Sequence, residues 1–131
     1  MIQVNSNSST PIYEQIQSGL KDLIFRKVLR DGDKLPSVRE LACNLTVNPN
    51  TISKAYNQLE KEGLIQTLKG KGTFIKKDAQ DIVKSINIDN LRSEITNILL
   101  NAIKLDLTLE DIIKLEKEVY VDLEVQDNVR D

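Results

Sequence analysis

A three-residue connection between two helix-like segments is the feature that most constrains the fold of this chain. Apolar residues recur at helical spacing over residues 38–45, and only residues 46–48 separate this segment from Pro49. Proline is tolerated at the first position of a helix, and Asn48 before it is a favourable N-cap, so a helix is predicted to begin there. Ser37 precedes the first segment and has a glutamate three residues later, which is the pattern of a capping box. The sequence therefore predicts a short helix, a tight turn and a further helix.

Other local signals flank this pair of helices. Thr10 followed by Pro11 predicts the start of an earlier helix, and Gly63 predicts the end of the later one as a left-handed cap. Residues 64–67 and 73–76 are predicted to form two short strands around a basic, glycine-rich tip. The predicted fold is mainly α with a small β-hairpin, and the order of its elements is that of a winged helix-turn-helix.

Beyond Lys77 the pattern changes to one that suits packing between helices. Residues 78–90 fit either a linker or an early helical turn. From Leu91 to Leu105 the apolar residues alternate between steps of four and three, which is the a/d spacing of a helix packed against another helix. A second helix is predicted to begin at Thr108, so we expect a short two-helix C-terminal dimerisation region. Its predicted interface residues are Leu91, Ile95, Ile98, Leu99, Ala102, Leu105, Ile112 and Ile113.

The charge distribution supports the same division of the chain. The 131 residues carry a net charge of -2, but residues 1–77 hold 12 Lys and Arg against 7 Asp and Glu, while the remainder holds 6 against 13. A basic part of net charge +5 followed by an acidic part of -7 suggests a polyanion partner for the first part only. The predicted organisation is a flexible arm at 1–9, a winged helix-turn-helix at 10–77 and a helical dimerisation or effector region at 78–131.

Composition argues against several other classes of protein. The chain has no histidine and one cysteine, so it lacks the residues for a Ser-His-Asp or Cys-His site or for a thiolate or histidine zinc site. Cys43 is expected to be a small, at least half-buried hydrophobe. The acidic cluster near the C-terminus lacks the spacing of a calcium loop, and no metal, cofactor or enzymatic activity is predicted. No apolar run is long enough to span a membrane, and a cytoplasmic location is expected.

The second helix of a helix-turn-helix can enter the major groove of DNA, where short polar side chains reach base edges. Asn50 can pair with adenine, and Thr51 and Ser53 can reach bases or phosphates. Arg39 on the preceding helix can pair with guanine. Lys54 on the second helix can contact phosphate or guanine. Lys69 and Lys71 at the wing tip can contact phosphates, and Gly70 between them lets the backbone approach closely.

Four linked motifs carry a resemblance to a known family. They are DKLPSVRELA at 33–42, VNPNTISKAY at 47–56, LEKEGLI at 59–65 and GKGTF at 70–74. Together they resemble the DNA-binding domain of GntR-family bacterial transcription regulators over residues 10–76. The resemblance implies DNA contacts by Arg39, Asn48, Asn50, Thr51, Ser53, Lys69 and Gly70, whereas Lys54 and Lys71 are added on physical grounds.

Two features make the resemblance more specific: the short tail, and one position in the second helix of the helix-turn-helix. Pro49 stands where some relatives have an arginine, so the base preference of those relatives is not carried over. The short two-helix tail is similar to that of the YtrA subfamily, which implies a dimeric repressor, often of a transporter operon. The predicted partners are double-stranded operator DNA, a second copy of the chain and an unidentified small-molecule effector. The alternative is a winged-helix module that docks on protein without reading DNA.

Overall fold

The computed structural model describes residues 2–130, with side chains to residue 128. Its elements in chain order are α1 Ile12–Phe25, α2 Val38–Leu45, α3 Pro49–Lys61, β1 Ile65–Leu68, β2 Gly72–Ile75, α4 Ala79–Lys104 and α5 Leu109–Arg130. The chain divides into two compact units at Ile88 and Asp89. The prediction of a mainly α fold with a winged helix-turn-helix and a two-helix tail is confirmed.

The core of the first unit forms where the apolar faces of α1 and α3 meet. Ile16 and Leu20 of α1 are fully buried, as are Ile52 and Leu59 of α3. Both helices carry their apolar residues at helical spacing, so one face of each is covered while the other stays polar. The helix α3, which is the second helix of the helix-turn-helix and is called the recognition helix, thus packs on α1 through its apolar face.

The ends of α2 and α3 are set by local hydrogen bonds. The Glu40 N–H donates to Ser37 Oγ at 3.1 Å, which is one of the two bonds of the predicted capping box. Asn48 Oδ1 accepts from the Asn50 N–H at 2.8 Å, and Pro49 takes the first helical position. Between them Thr46 adopts φ 57°, a left-handed cap that turns the chain.

The hairpin pairs β1 with β2 in antiparallel register, with Ile65 opposite Ile75 and Leu68 opposite Gly72. Its strands begin and end within a residue of the predicted ones. A short segment before α2, which the sequence did not suggest, pairs with the other edge of β2: Lys34 bridges Phe74, and the Leu35 N–H donates to Thr73 O at 2.8 Å. This pairing joins the wing to the start of the helix-turn-helix.

Residues 2–5 pack against the core, although they belong to the segment 1–9 whose Asn and Ser content suggested a flexible arm. Ile2 is buried, and a Cβ at Gly19 would lie 3.1 Å from Ile2 Cγ2, so the missing side chain makes room for it. The Asn5 N–H also donates to Gln15 Oε1 at 2.8 Å, and Gln15 Nε2 donates back to Asn5 O. Residues 2–5 therefore belong to the first unit.

Two further expectations change once the packing is known. Residues 79–88 form the first turns of α4 and bury Ala79 and Val83 in the first unit, so the division falls later than the predicted boundary at 77/78. Cys43 is exposed, because the face of α2 that is buried runs through Leu41 and Ala42. Within the second unit Ala102 and Ile112 are buried near the turn between α4 and α5. Among residues 2–130, no helix combines the length and apolar character needed to cross a membrane.

Candidate nucleic-acid interface

The start of α3 presents short polar side chains. Asn50 is exposed, and Thr51 and Ser53 are half-buried. Asn48 is exposed as well, but its Oδ1 is engaged in the helix cap, which leaves its amide N–H groups to donate elsewhere. The cap fixes the backbone from which Asn50 projects. This part of the predicted site is therefore assembled on one rigid helix end.

Tyr56 anchors the inner side of α3 to the segment before α2. Its hydroxyl donates to Pro36 O at 2.7 Å, and its ring is buried. Burial raises the pKa of the Tyr56 phenol, and the nearby Glu40 carboxylate raises it further. The phenol therefore stays protonated and keeps its hydrogen bond over the physiological range.

Lys54 has a partner that the sequence did not reveal. Its Nζ lies 3.8 Å from the centre of the Tyr13 ring, a cation–π contact between α3 and the first turn of α1. The contact engages the lysine ammonium group, although the residue as a whole stays exposed. Helical periodicity placed Lys54 on the polar face of α3 but could not identify its neighbour on another helix.

A polar groove of about 640 Å³ lies beside this contact, between α1 and α3. It is lined by Lys21 and Lys61 together with Lys54, and by the amides of Asn57 and Gln58. Lys21 is paired with the Glu62 carboxylate at 2.9 Å, so its charge is partly neutralised. The groove extends the basic, polar surface of α3 toward α1.

Arg39 is exposed on α2, as its place off the apolar stripe predicted. The ion pairs formed among residues 2–128 are Lys21–Glu62 and Arg26–Asp22. Arg39 thus pairs with neither Glu40 nor Glu60 within this part of the chain. Its guanidinium is available to a ligand outside the protein.

The wing tip is a tight turn made possible by glycine. The Lys71 N–H donates to Leu68 O at 2.9 Å, and Gly70 has φ +78°, a conformation that side chains disfavour. Lys69, Gly70 and Lys71 are all exposed. At Gly72 a Cβ would lie only 2.7 Å from Lys34 Cε, because the Lys34 side chain crosses the base of this turn.

The wing is also tied to the recognition helix. Glu60 Oε1 of α3 accepts from the Thr67 N–H at 3.2 Å, and the Thr67 and Thr73 hydroxyls lie 3.2 Å apart across the hairpin. The predicted DNA-binding residues of α2, α3 and the wing are thus carried by one connected framework. Glu60 ties the hairpin to α3 through a contact that the sequence did not suggest.

The predicted dimerisation residues fall into two groups. Leu91, Ile95, Ile98, Leu105 and Ile113 are exposed, with Ile98 at 59% and Leu105 at 72%, and Leu99 is half-buried. Ala102 and Ile112 are instead buried within their own unit. Other large apolar residues of the tail are exposed too; they are Leu100, Ile103, Leu109, Leu115, Val119, Tyr120, Val121, Leu123 and Val125.

These elements define a class of protein. A short helix, a tight turn, a capped helix with a polar outer face, and a hairpin with a basic tip form a winged helix-turn-helix, which binds DNA through its second helix. The family model for "Bacterial regulatory proteins, gntR family" matches residues 12–75.

Similarity to known proteins extends well beyond the matched domain. The chain is 42% identical over 123 residues to the HTH-type transcriptional repressor YtrA of Bacillus subtilis (strain 168). This alignment covers 94% of this chain and 95% of that protein. A transcriptional regulator from Oenococcus oeni superposes with a TM-score of 0.77 at 33% identity, over 89% of this chain and 97% of that one. The DNA-binding domain of AraR, solved in complex with operator ORX1, superposes with a TM-score of 0.52 at 27% identity, over 57% of this chain and 94% of that one.

The chain belongs to the GntR family of bacterial transcription regulators, and within it to the short-tailed YtrA-like group. It is a DNA-binding transcription regulator. The family expected from the four motifs is confirmed.

Proposed function

We propose that this protein is a homodimeric repressor that binds a near-palindromic operator through two copies of its winged helix-turn-helix. The repressor assignment is supported by the Bacillus subtilis relative, which carries that name and matches nearly the whole chain. Since its ligand is chromosomal DNA, the protein acts in the cytoplasm. By resemblance to the YtrA subfamily, its target is a transporter operon.

The observation that carries the dimer is the apolar surface of the tail. Ile98 of α4, Leu105 just after α4, and Leu123 of α5 expose more than half of their surface, together with many neighbours. So many exposed apolar residues on two helices mark an interaction site, and a second copy of the same helices is a self-complementary cover for it. The acidic charge of the tail keeps this surface away from DNA phosphates.

The proposed DNA contacts divide by their chemistry. Arg39 reads guanine and Asn50 reads adenine, because each presents a side chain that can form two hydrogen bonds to one base. Thr51, Ser53 and Asn48 contact bases or phosphates at the start of α3. The wing tip, Lys69 to Lys71, and Lys54 neutralise phosphates.

The test is to select binders from random DNA duplexes at near-physiological salt and sequence the enriched pool. A dimer places two recognition helices about 34 Å apart, so the expected product is an inverted repeat with half-sites about one helical turn apart. Enrichment of a single half-site would contradict the dimer. No enrichment, with binding that is insensitive to salt, would favour the protein-docking alternative.

A further inference from the structure

A cleft of about 450 Å³ lies within the first unit, at the base of the winged helix and away from the recognition helix. Three elements meet there: the end of α1, the end of β2 and the first turn of α4. Its volume is within the range of small-molecule sites. None of its lining residues was predicted to contact DNA or a second copy of the chain.

The floor of the cleft is apolar. Ile24, Ile75 and Ala79 are each almost completely buried and contribute the atoms that line its bottom. Leu29, half-buried, adds an apolar wall. A ligand with an apolar chain or ring would cover mainly Leu29, since the three floor residues expose almost no surface to water.

The rim is strongly basic. Lys27, Arg30, Lys76 and Lys77 surround the floor, against the single carboxylate of Asp31. None of these four cations belongs to an ion pair among residues 2–128. Four positively charged side chains line the cleft against one lining carboxylate, and even with Asp33 beside the Arg30 backbone the excess of positive charge favours an anionic ligand.

Arg30 is positioned in advance for such a ligand. Its Nε donates to Lys27 O at 3.0 Å, and its backbone N–H donates to Asp33 Oδ2 at 2.8 Å. Lys27, two residues after α1, has φ 62°. The chain therefore turns sharply there and directs the Lys27 carbonyl at the Arg30 guanidinium. The terminal amino groups of Arg30 remain to bind phosphate or carboxylate, with less conformational entropy to lose.

The cleft lies far from the proposed DNA contacts. Lys54 of the recognition helix sits over Tyr13 in the first turn of α1, whereas the cleft uses Ile24 in the last turn. At 1.5 Å per residue these two points are about 16 Å apart along the helix. Along the hairpin, likewise, Ile75 is at the opposite end of the strands from the wing tip. A ligand in the cleft and DNA on α3 need not compete for the same atoms.

We propose that this cleft binds a small anionic molecule with an apolar chain or ring, which acts as the effector. Binding neutralises part of the positive charge of the winged helix and lowers its affinity for DNA. The effect on DNA rests on the proposed function, whereas binding in the cleft does not.

The probe is octyl phosphate, added below its micelle-forming concentration to the ¹⁵N-labelled full chain without DNA. We expect saturable amide shifts at Lys27, Arg30, Lys77 and Gln80, and weaker binding of inorganic phosphate or 1-octanol, since each lacks one half of the interaction. The double variant R30Q/K77Q loses two charge-assisted contacts, so its affinity for octyl phosphate should fall about tenfold or more. The matched control K84Q/R92Q removes the same two charge types from exposed positions of α4 and should bind as the unaltered chain does.

Three results would overturn the proposal. Shifts confined to residues 89–128 would mean that the probe coats the exposed apolar surface of the tail. Equal loss of affinity in both double variants would mean that net charge, not the cleft, attracts the probe. A fall in DNA affinity for R30Q/K77Q beyond that of the control, with no ligand present, would assign these residues to the DNA interface. If instead no operator can be selected but the cleft shifts appear, the proposed function fails and the cleft site stands.

Discussion

Arg39 is the single residue whose replacement most directly tests base reading. It is exposed on α2 and has no carboxylate partner among residues 2–128, so Arg39→Ala removes no internal contact of that kind. If it reads guanine, the variant should lose about 1 to 3 kcal/mol of operator binding and tolerate other bases at one position. Fluorescence anisotropy with the selected duplex and with single base-pair changes measures both effects.

Arg92→Ala is the matched control for Arg39→Ala, because Arg92 is exposed on α4 outside the winged helix. It should leave affinity and base preference unchanged. A uniform loss of affinity in Arg39→Ala, with the same base preference as the unaltered chain, would reduce Arg39 to a phosphate contact.

A second prediction at the residue scale concerns Tyr56 and the free energy of unfolding at alkaline pH. Burial, and then the Glu40 carboxylate, raise the pKa of its phenol above the value of about 10 in the unfolded chain. Below that pH both states are protonated and the stabilisation is complete. As pH rises past it, the unfolded chain loses the proton first, so the free energy of unfolding should fall by up to about 1.4 kcal/mol per pH unit.

Urea unfolding of the unaltered chain and of Tyr56→Phe, measured between pH 8 and 11, checks this dependence. The variant loses the hydrogen bond to Pro36 O, about 1 kcal/mol near neutral pH, but has no phenolic proton to lose at this site. Its stability should therefore fall less steeply with pH. Parallel curves for the two proteins would contradict the prediction.

The wing is the element whose contribution is electrostatic. Lys69 and Lys71 lie on an exposed turn that Gly70 makes possible, and the bond from the Thr67 N–H to Glu60 ties the hairpin to α3. If each lysine neutralises one phosphate, the double variant K69A/K71A should reduce the slope of log Kd against log salt by about two. Base preference should not change.

The salt dependence is measured by operator binding at a series of potassium chloride concentrations. The double variant K114A/K117A removes two lysines from exposed positions of α5 and serves as the control. An unaltered slope in K69A/K71A would show that the wing tip does not touch the DNA backbone.

At the scale of the elements, the sequence predicts where a helix begins better than it predicts which other element a segment pairs with. Both bonds of the capping box at Thr108 and Asp111 form, at 3.0 and 3.2 Å, and the caps of α2 and α3 form at the predicted residues. Such signals act over three or four residues and can be seen in sequence. The bridge from Lys34 to Phe74 joins residues 40 positions apart and has no local pattern.

At the scale of the whole molecule, the prediction concerns the proposed dimer formed through the tail. We expect the chain of 14.8 kDa to have twice that mass in solution. Replacing two exposed apolar residues of the tail with glutamate, Ile98 in α4 and Leu105 just after it (I98E/L105E), should bury charge in the proposed interface and yield monomers. Multi-angle light scattering measures the mass, and binding to one half-site should survive while binding to the full operator weakens.

The control for the assembly test introduces the same charges on polar positions of the same helix. Asn97 and Asn101 are exposed, and N97E/N101E should remain dimeric if the interface is the apolar surface. A monomeric mass for the unaltered chain at micromolar concentration would contradict the dimer.

The sequence by itself determined where α2, α3 and α5 begin, where the hairpin lies, and which family the chain belongs to. Caps, glycine turns and apolar periodicity depend on residues within a turn or two of each other, so they can be recognised in the sequence before any tertiary contact is known. The exposed positions of Arg39 and Asn50 followed from the same periodicity.

Only the tertiary structure decided which surfaces meet. Ile2 fills the space left at Gly19, Lys54 lies over Tyr13, and Val83 joins the core of the first unit. The basic cleft at Arg30 likewise combines residues from α1, β2 and α4. Each of these pairings joins residues that are distant along the chain, and helical or strand periodicity specifies a face without specifying its partner.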